Sequence, residues 1–327
     1  MFLQHANAKW IAETPAKINL FFEVLGKRSD HFHEIVSIAL PIRLFDTLSF
    51  ELTDDPQIQF GCHGGGKDIP LDDTNLVVRS AKLIQQRFGV PFGAAITLTK
   101  RIPSQAGLGG GSSNVVAALR LACRTWNLDV PDSELLPIAA ELGSDCPIFF
   151  YDTPTLSKGR GEQIQPLPSI PTLWFVLLKP PEGLSTAQVY AECMPLHDGQ
   201  FRQPNELMNA LSSGDAQQIG QHFFNRLEVP AQKLWHRFDA VRSQLLEAGC
   251  LAAQMSGSGT AFFGLCKNEA HAEETLRRLL RHSASKPPTI LAIPGQPATW
   301  ETFAFVVSNP PDRWESEANT NRSVRPK

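Results

Sequence analysis

The sequence predicts an α+β fold in two domains, and three observations carry that expectation. Apolar residues alternating at period two mark strands, the clearest being Lys17 to Leu25 and Ala95 to Lys100. Amphipathic stretches such as Leu76 to Ile84 and Val115 to Ala122 mark helices between them. Near residue 165 the character changes. Prolines 166, 168, 171, 180 and 181 bracket a new run of elements, dividing the chain into domains 1–165 and 166–307 and a polar tail, 308–327, expected to be disordered.

The 327 residues suffice for about two domains of ordinary size. With 42% hydrophobic and 19% charged residues the composition is globular, and a net charge of −3 gives no global field for nucleic acid. Arg277, Arg278 and Arg281 read as a solvated helix face. The six cysteines are scattered without a Cys-x-x-Cys pair, which argues against zinc and a disulfide framework and fits reduced thiols in a cytoplasmic protein. No basic-then-apolar leader and no apolar run of ~18 residues stands in the sequence, so neither export nor membrane insertion is expected.

In order, residues 1–13 read as a leader of little structure. The strand from Lys17 follows Pro15, and a lysine there is usually a solvated flank. The turn Gly26 to His33 delivers Phe32 and His33 ahead of a strand, Ile35 to Leu40. His31 and His33 alternate without a third ligand nearby, so a metal is not expected. Phe32 beside His33 is either a platform for stacking and hydrogen-bonding a base or sugar, or simply core. A strand Thr47 to Leu52 and a polar, glycine-rich excursion over 54–73 lead to Asn75, which opens a helix with Asp73 and Thr74 as candidate caps.

Between Arg101 and Asn114 a short strand runs through a glycine-rich turn into a helix. Gly107, Gly109, Gly110 and Gly111 lack a Cβ, so backbone N–H groups can approach an anion closely. The unpaired N–H groups of a first helical turn and the helix dipole favour phosphate there. Ser112 and Ser113 add two hydroxyls, either of which could instead be an N-cap. The turn is not a P-loop, because no Lys-Ser/Thr follows the last glycine, and it is not a dinucleotide-binding fingerprint.

A helix beginning at Pro131 ends at Gly143, followed by Ser144-Asp145-Cys146-Pro147 and an apolar strand, Ile148 to Tyr151. Asp145 stands at that junction as a reactive carboxylate or as an Asx-type turn. Lys158-Gly-Arg-Gly-Glu162 makes a second small-residue turn. The second domain reads as a strand Leu173 to Leu178, a helix capped by Ser185-Thr186, and helices over 205–212, 215–225 and 231–248. A glycine-serine hairpin over 252–263, a helix Glu269 to Arg281 and a strand Thr302 to Val307 complete it.

Three segments together, Pro15-Ala-Lys-Ile-Asn-Leu-Phe21, Gly107-Leu-Gly-Gly-Gly-Ser-Ser-Asn114 and Gln254-Met-Ser-Gly-Ser-Gly-Thr-Ala261, resemble the GHMP small-molecule kinases over about residues 12–307. The resemblance implies a two-domain architecture with an active-site cleft between the domains. It implies an enzyme using ATP and Mg²⁺ on a small-molecule alcohol. Phe32-His33-Glu34-Ile35 and Gly143 to Pro147 point within the superfamily to the 2-hydroxyl of a cytidine-diphosphate-linked methylerythritol, in non-mevalonate isoprenoid precursor biosynthesis. Other acceptors of homoserine or mevalonate type, and a non-catalytic nucleotide-binding regulator, are the alternatives.

By the same resemblance Asp145 is the base that accepts the hydroxyl proton, with Lys17 beside it. Gly107, Leu108, Gly109, Gly110, Gly111, Ser112 and Ser113 cradle the ATP phosphates, and Ser113 is the expected metal contact. Asn75, Lys100, Pro103 and the turn around Lys158 lie near the nucleotide. Phe32 and His33 hold the cytosine, and Asn19 and Thr186 line the acceptor cleft. No nucleic-acid or membrane partner is implied, and the expected state is a monomer or weak homodimer. Where the family has Asp-Gly-Tyr-His this chain has Asp30-His31-Phe32-His33, and where a glycine often precedes the loop it has Gln105-Ala106. Phenylalanine keeps the stacking face but loses the phenol.

Overall fold

The computed structural model describes residues 1–65, 69–193, 201–282 and 303–309. Long strands dominate the first half. β1 (Phe2–Ala6), β2 (Lys9–Lys27) and β3 (His33–Thr53) form a meander, followed by β4 (Ile58–Gly64), helix α1 (Leu76–Arg87) and β5 (Gly93–Lys100). Helices α2 (Gly110–Thr125) and α3 (Asp132–Leu142), a 3₁₀ turn (Cys146–Phe150) and the hairpin β6 (Thr155–Gly159) and β7 (Gln163–Pro166) complete it. The main strand order is β1-β2-β3-β5-β4, with β4 parallel to β5 and with β6 pairing β3.

The second half holds β8 (Trp174–Lys179), α4 (Thr186–Ala191), α5 (Asn205–Ser213), α6 (Ala216–Gln221) and β9 (Phe224–Asn225). Then follow α7 (Glu228–Leu234), α8 (Phe238–Ala248), β10 (Ala252–Met255), β11 (Phe262–Cys266), α9 (Glu269–His282) and β12 (Phe303–Ser308). Its antiparallel sheet runs β10-β11-β8-β12, while β9 crosses back to pair with β2.

Packing explains why β8 and β11 are apolar throughout. Phe175, Leu177 and Phe263 face Ile18, Leu20 and Ile38 of the first sheet in a core shared by both halves. On the opposite face, Val176, Leu178 and Phe262 pack with Phe238, Val241 and Leu245 of α8. A sheet buried on both faces has no solvent side to alternate with. The core of the first half lies between its sheet and α1 and α2, joining Leu48, Phe50 and Ile96 to Val115 and Leu119.

Several sequence expectations are corrected. The presumed leader is β1 plus the start of β2, joined through Asn7 and Ala8 at φ +51° and +62°. Two consecutive left-handed residues fit a type I′ hairpin, whose sequence signal is normally Asn-Gly. The excursion over 54–73 contains β4. Strands 35–40 and 47–52 are one continuous β3, with a register shift opposite Pro15/Ala16. Ile148 to Tyr151 lies in and just after a 3₁₀ turn instead of a strand, and 231–248 is two helices broken at Trp235. Most of the tail, from 310 onward, lies outside the described residues.

Candidate active site

The glycine loop between β5 and α2 is built on two left-handed glycines. Gly107 has φ +73°, and a Cβ there would stand 1.9 Å from the Ser256 carbonyl oxygen, so no side chain fits. Gly109 has φ +70° and serves as N-cap residue of α2, which starts at Gly110. Ser112 and Ser113 therefore sit inside the first helical turn and are not its cap. A cavity of about 390 Å³ opens here, lined by Asn75, Lys100, Pro103 and the loop from Gly107 to Ser112. Ser113 is fully buried behind that wall, and its hydroxyl has no hydrogen-bond partner.

Two residues expected at the nucleotide have their polar groups engaged elsewhere. Asn75 caps α1: its Oδ1 accepts from Val77 N–H at 2.9 Å and its Nδ2 donates to the Pro70 carbonyl at 2.7 Å. The cap is thus Asn75 itself, in place of Asp73 or Thr74. Lys100 Nζ donates to Asp46 Oδ2 at 2.6 Å and to the Ile102 carbonyl at 2.5 Å, so the stem lines the cavity while the ammonium is held behind the loop.

At the loop's mouth stands Lys17. It is 3% exposed, its N–H donates to the Leu108 carbonyl at 2.9 Å, and its Nζ donates to Asn19 Oδ1 at 2.6 Å and to the Gly107 carbonyl at 2.9 Å. The same Nζ lies 3.4 Å from Asp145 Oδ2. Asp145 enters the 3₁₀ turn with its side chain 42% exposed and makes no capping hydrogen bond. The Asx-turn reading is thereby excluded. Burial pushes the neighbouring Cys146 thiol up to about 12, so this cysteine stays a neutral thiol.

The second glycine-serine turn closes against the first. Ser256 Oγ donates to the Gly107 carbonyl at 2.9 Å, and Ala261 N–H donates to the Ala106 carbonyl at 3.1 Å. Asn225 Nδ2 holds the turn by the carbonyls of Met255 and Gly257, at 2.9 and 2.8 Å. Thr186 Oγ1 and Ser258 Oγ share a hydrogen bond of 2.8 Å. Asn19 Nδ2 donates to Ser37 Oγ at 2.9 Å.

Phe32 is 46% exposed, which removes the reading as core. His33 stacks on Tyr190 of α4 with ring centroids 4.8 Å apart. Burial, with Lys27 nearby, lowers the pKa of His33 and so favours a neutral imidazole. Tyr190 is an aromatic that sequence reading passed over as one more residue of a helix. Burial, and then the Asp145 carboxylate, raise the pKa of its phenol. The signal available was only its place four residues after Thr186. The turn Lys158–Glu162 lies elsewhere: Gly161 packs against Ser144, and no residue of the turn lines the cavity at the glycine loop.

Both halves match known family models, "GHMP kinases N terminal domain" over residues 75–153 and "GHMP kinases C terminal" over 205–285. The fold and its cleft thus define a GHMP small-molecule kinase, an ATP-dependent alcohol phosphotransferase. Solved structures share the fold at almost equal closeness. A 4-(cytidine 5'-diphospho)-2C-methyl-D-erythritol kinase matches with TM-score 0.70 at 30% identity, covering 91% of this chain and 98% of that one. A homoserine kinase from Cytophaga hutchinsonii matches with TM-score 0.69 at 18% identity, covering 94% and 98%. The L. major mevalonate kinase gives 0.71 at 16%, covering 95% and 99%.

Sequence separates what the fold does not. The 4-diphosphocytidyl-2-C-methyl-D-erythritol kinase of Pelotomaculum thermopropionicum is 38% identical over 81% of this chain and 92% of the relative. That of Shouchella clausii is 37% identical over 80% and 87%. The chain belongs to the family of 4-diphosphocytidyl-2-C-methyl-D-erythritol kinases.

Proposed function

We propose that this chain transfers the γ-phosphoryl group of ATP to the 2-hydroxyl of 4-diphosphocytidyl-2-C-methyl-D-erythritol. The observation that carries the reading is the Lys17–Asp145 pair at the mouth of the glycine loop, with Phe32, His33 and Tyr190 on the acceptor side. ATP lies in the cavity with its phosphates along Gly107, Leu108, Gly109, Gly110 and Gly111, where the α2 dipole and backbone N–H groups favour negative charge. Asp145 Oδ2 accepts the proton of the acceptor hydroxyl as the oxygen forms its bond to the γ-phosphorus. The bond to the β,γ-bridging oxygen breaks and ADP leaves. Lys17 orients Asp145 and offers positive charge where the transferring group gains negative charge. Phosphoryl transfer is largely dissociative, so this positioning matters more than base strength. The cytosine lies between Phe32 and Tyr190 with His33 at its edge, while Asn19 and Thr186 line the path to the hydroxyl.

The loop's residues fit a Mg²⁺ ion carried in with the nucleotide. Such an ion takes one or two protein oxygens and completes its shell with phosphate and water. Ser112 offers a hydroxyl on the cavity wall and would hold it, whereas Ser113, the metal contact the resemblance implies, is buried behind that wall with its hydroxyl unpartnered. When bound, the ion neutralises charge on the β- and γ-phosphates. All six cysteines are free thiols, which fits a reducing, cytoplasmic setting; no described helix is long and apolar enough to cross a membrane. The test is ATP turnover with the cytidylyl substrate, with homoserine and with mevalonate. Activity on the first alone is expected, and turnover of either other alcohol with the cytidylyl compound inert refutes the assignment.

A further inference from the structure

The turn Lys158–Glu162 belongs to the acceptor side of the cleft. Pairing of β6 with β3 sets Gly159 opposite Ile35, so the turn emerges beside His33 and Phe32. Its far side touches the catalytic junction: Gly161 has φ +116°, and a Cβ there would lie 3.2 Å from the carbonyl oxygen of Ser144, the residue before Asp145. Arg160 is centred between these two neighbours. Its backbone N–H donates to Glu162 Oε2 at 2.7 Å, its Nη2 donates to the Ala140 carbonyl in the last turn of α3 at 3.1 Å, and its guanidinium carbon lies 5.0 Å from the Phe32 ring centroid. Among the described residues no carboxylate forms an ion pair with it, in contrast to Arg28, Arg120, Arg226 and Arg237.

We propose that Arg160 is a substrate-binding residue that holds the diphosphate of the acceptor. The inference rests on the acceptor reading above and deepens it. A cytidine-diphosphate-linked alcohol has its base at one end, its reacting hydroxyl at the other and two phosphates between. With the base at Phe32 and the hydroxyl at Asp145, those phosphates must cross the interval that Arg160 occupies. A guanidinium presents five N–H donors in a planar fork suited to phosphate oxygens, and here the Ala140 carbonyl takes one. Lying on one face of Phe32, it also fixes that ring and leaves the other face to the base. A cleft of this kind prefers a nucleoside diphosphate conjugate over a nucleoside, a selectivity that Phe32 and His33 do not supply because they read only the base.

The test compares cytidine and CDP binding by isothermal titration in wild type, Arg160→Gln and Arg160→Lys. Loss of a charge-assisted contact should weaken CDP about 10- to 100-fold in Arg160→Gln, while cytidine, which loses only the support of the Phe32 ring, should weaken less than about threefold and ATP should stay within about twofold of wild type. The lysine variant, which keeps the charge and loses the fork, should fall between. The KM for the acceptor should rise in parallel, and unchanged ATP affinity reports that each variant is folded. If cytidine weakens as much as CDP, Arg160 acts only by supporting the Phe32 ring and the proposal fails. It fails equally if Arg160→Gln binds CDP like wild type. Wild type that neither binds CDP nor phosphorylates the cytidylyl alcohol overturns the acceptor reading and this inference together. Wild-type turnover with an unaffected Arg160→Gln overturns the inference alone.

Discussion

Two lysine–aspartate pairs flank the glycine loop, and they are built in opposite ways. Lys100 and Asp46 meet at 2.6 Å with side chains 5% and 0% exposed, and Asp46 also accepts from Arg101 N–H at 2.7 Å, Ile102 N–H at 2.8 Å and Asn114 Nδ2 at 3.1 Å. Lys17 and Asp145 stand 3.4 Å apart with the carboxylate open to the cleft. A carboxylate whose oxygens are filled by four donors fixes backbone, here the exit of β5 and the body of α2. A carboxylate with one lysine and open space is free to meet whatever binds. The same two residue types therefore frame the loop from behind and serve it in front.

Exchanging the open acid should give the largest effect. Asp145→Asn is expected to lower kcat about 10²- to 10⁴-fold, the usual range for a general base, with a smaller loss of stability than at the closed pair because the side chain is half-exposed, makes no cap and leaves Lys17 its bonds to Asn19 and the Gly107 carbonyl. Retention of most activity would remove the base role and with it the contrast.

The closed pair should answer in the other observable. Asp46→Asn leaves the Lys100 ammonium buried without its counter-charge, which should cost about 3–5 kcal/mol of stability. Urea unfolding measures it. In the protein that remains folded, the KM for ATP should rise more than kcat falls, because the loop loses its anchor while Lys17 and Asp145 stay in place. A stable Asp46→Asn protein with normal ATP affinity and lost kcat would mean that both pairs act in chemistry.

Legibility in the sequence follows the same division. Lys17, Asp145 and the loop stand in contiguous motifs whose chemistry is local, so each could be found, and two of the loop's four glycines, Gly107 and Gly109, also adopt positive φ. Asp46 could not be found: its partners lie 54 to 68 residues further along the chain and meet it only through the β3–β5 pairing. The resemblance alone points to Lys100 at the nucleotide, and nothing near it in sequence announces the buried acid that holds its ammonium. Tyr190 and the Lys158–Glu162 turn needed the packing of the second half and of β6 to find their neighbours. Two of the departures from the family pattern fall on left-handed backbone, His31 at φ +68° and Gln105 at φ +50°. Glycine adopts that conformation without strain, and this chain holds it with larger residues.

A third buried lysine sharpens the contrast with the smallest effect. Lys179 is 6% exposed, and its Nζ donates to the carbonyls of Pro180 and Glu182 at 2.5 and 2.9 Å in place of a carboxylate. Burial pushes its ammonium down to about 8, against an ordinary 10.5, with Glu182 only partly offsetting. The sign follows from proton counting. Between pH 8 and 10.5 the unfolded chain holds a proton that the folded one has released, so stability from this group rises with pH in that window and the full penalty applies below it. Lys179→Met lacks the group, and all other titrations are common to both proteins. The stability difference should therefore move in favour of wild type by about 3 kcal/mol across the window, read by urea unfolding at its two ends. A difference that stays flat would mean that two carbonyls hold a buried ammonium as well as a carboxylate does, and that the acid beside Lys17 and Lys100 is not what keeps those charges in place.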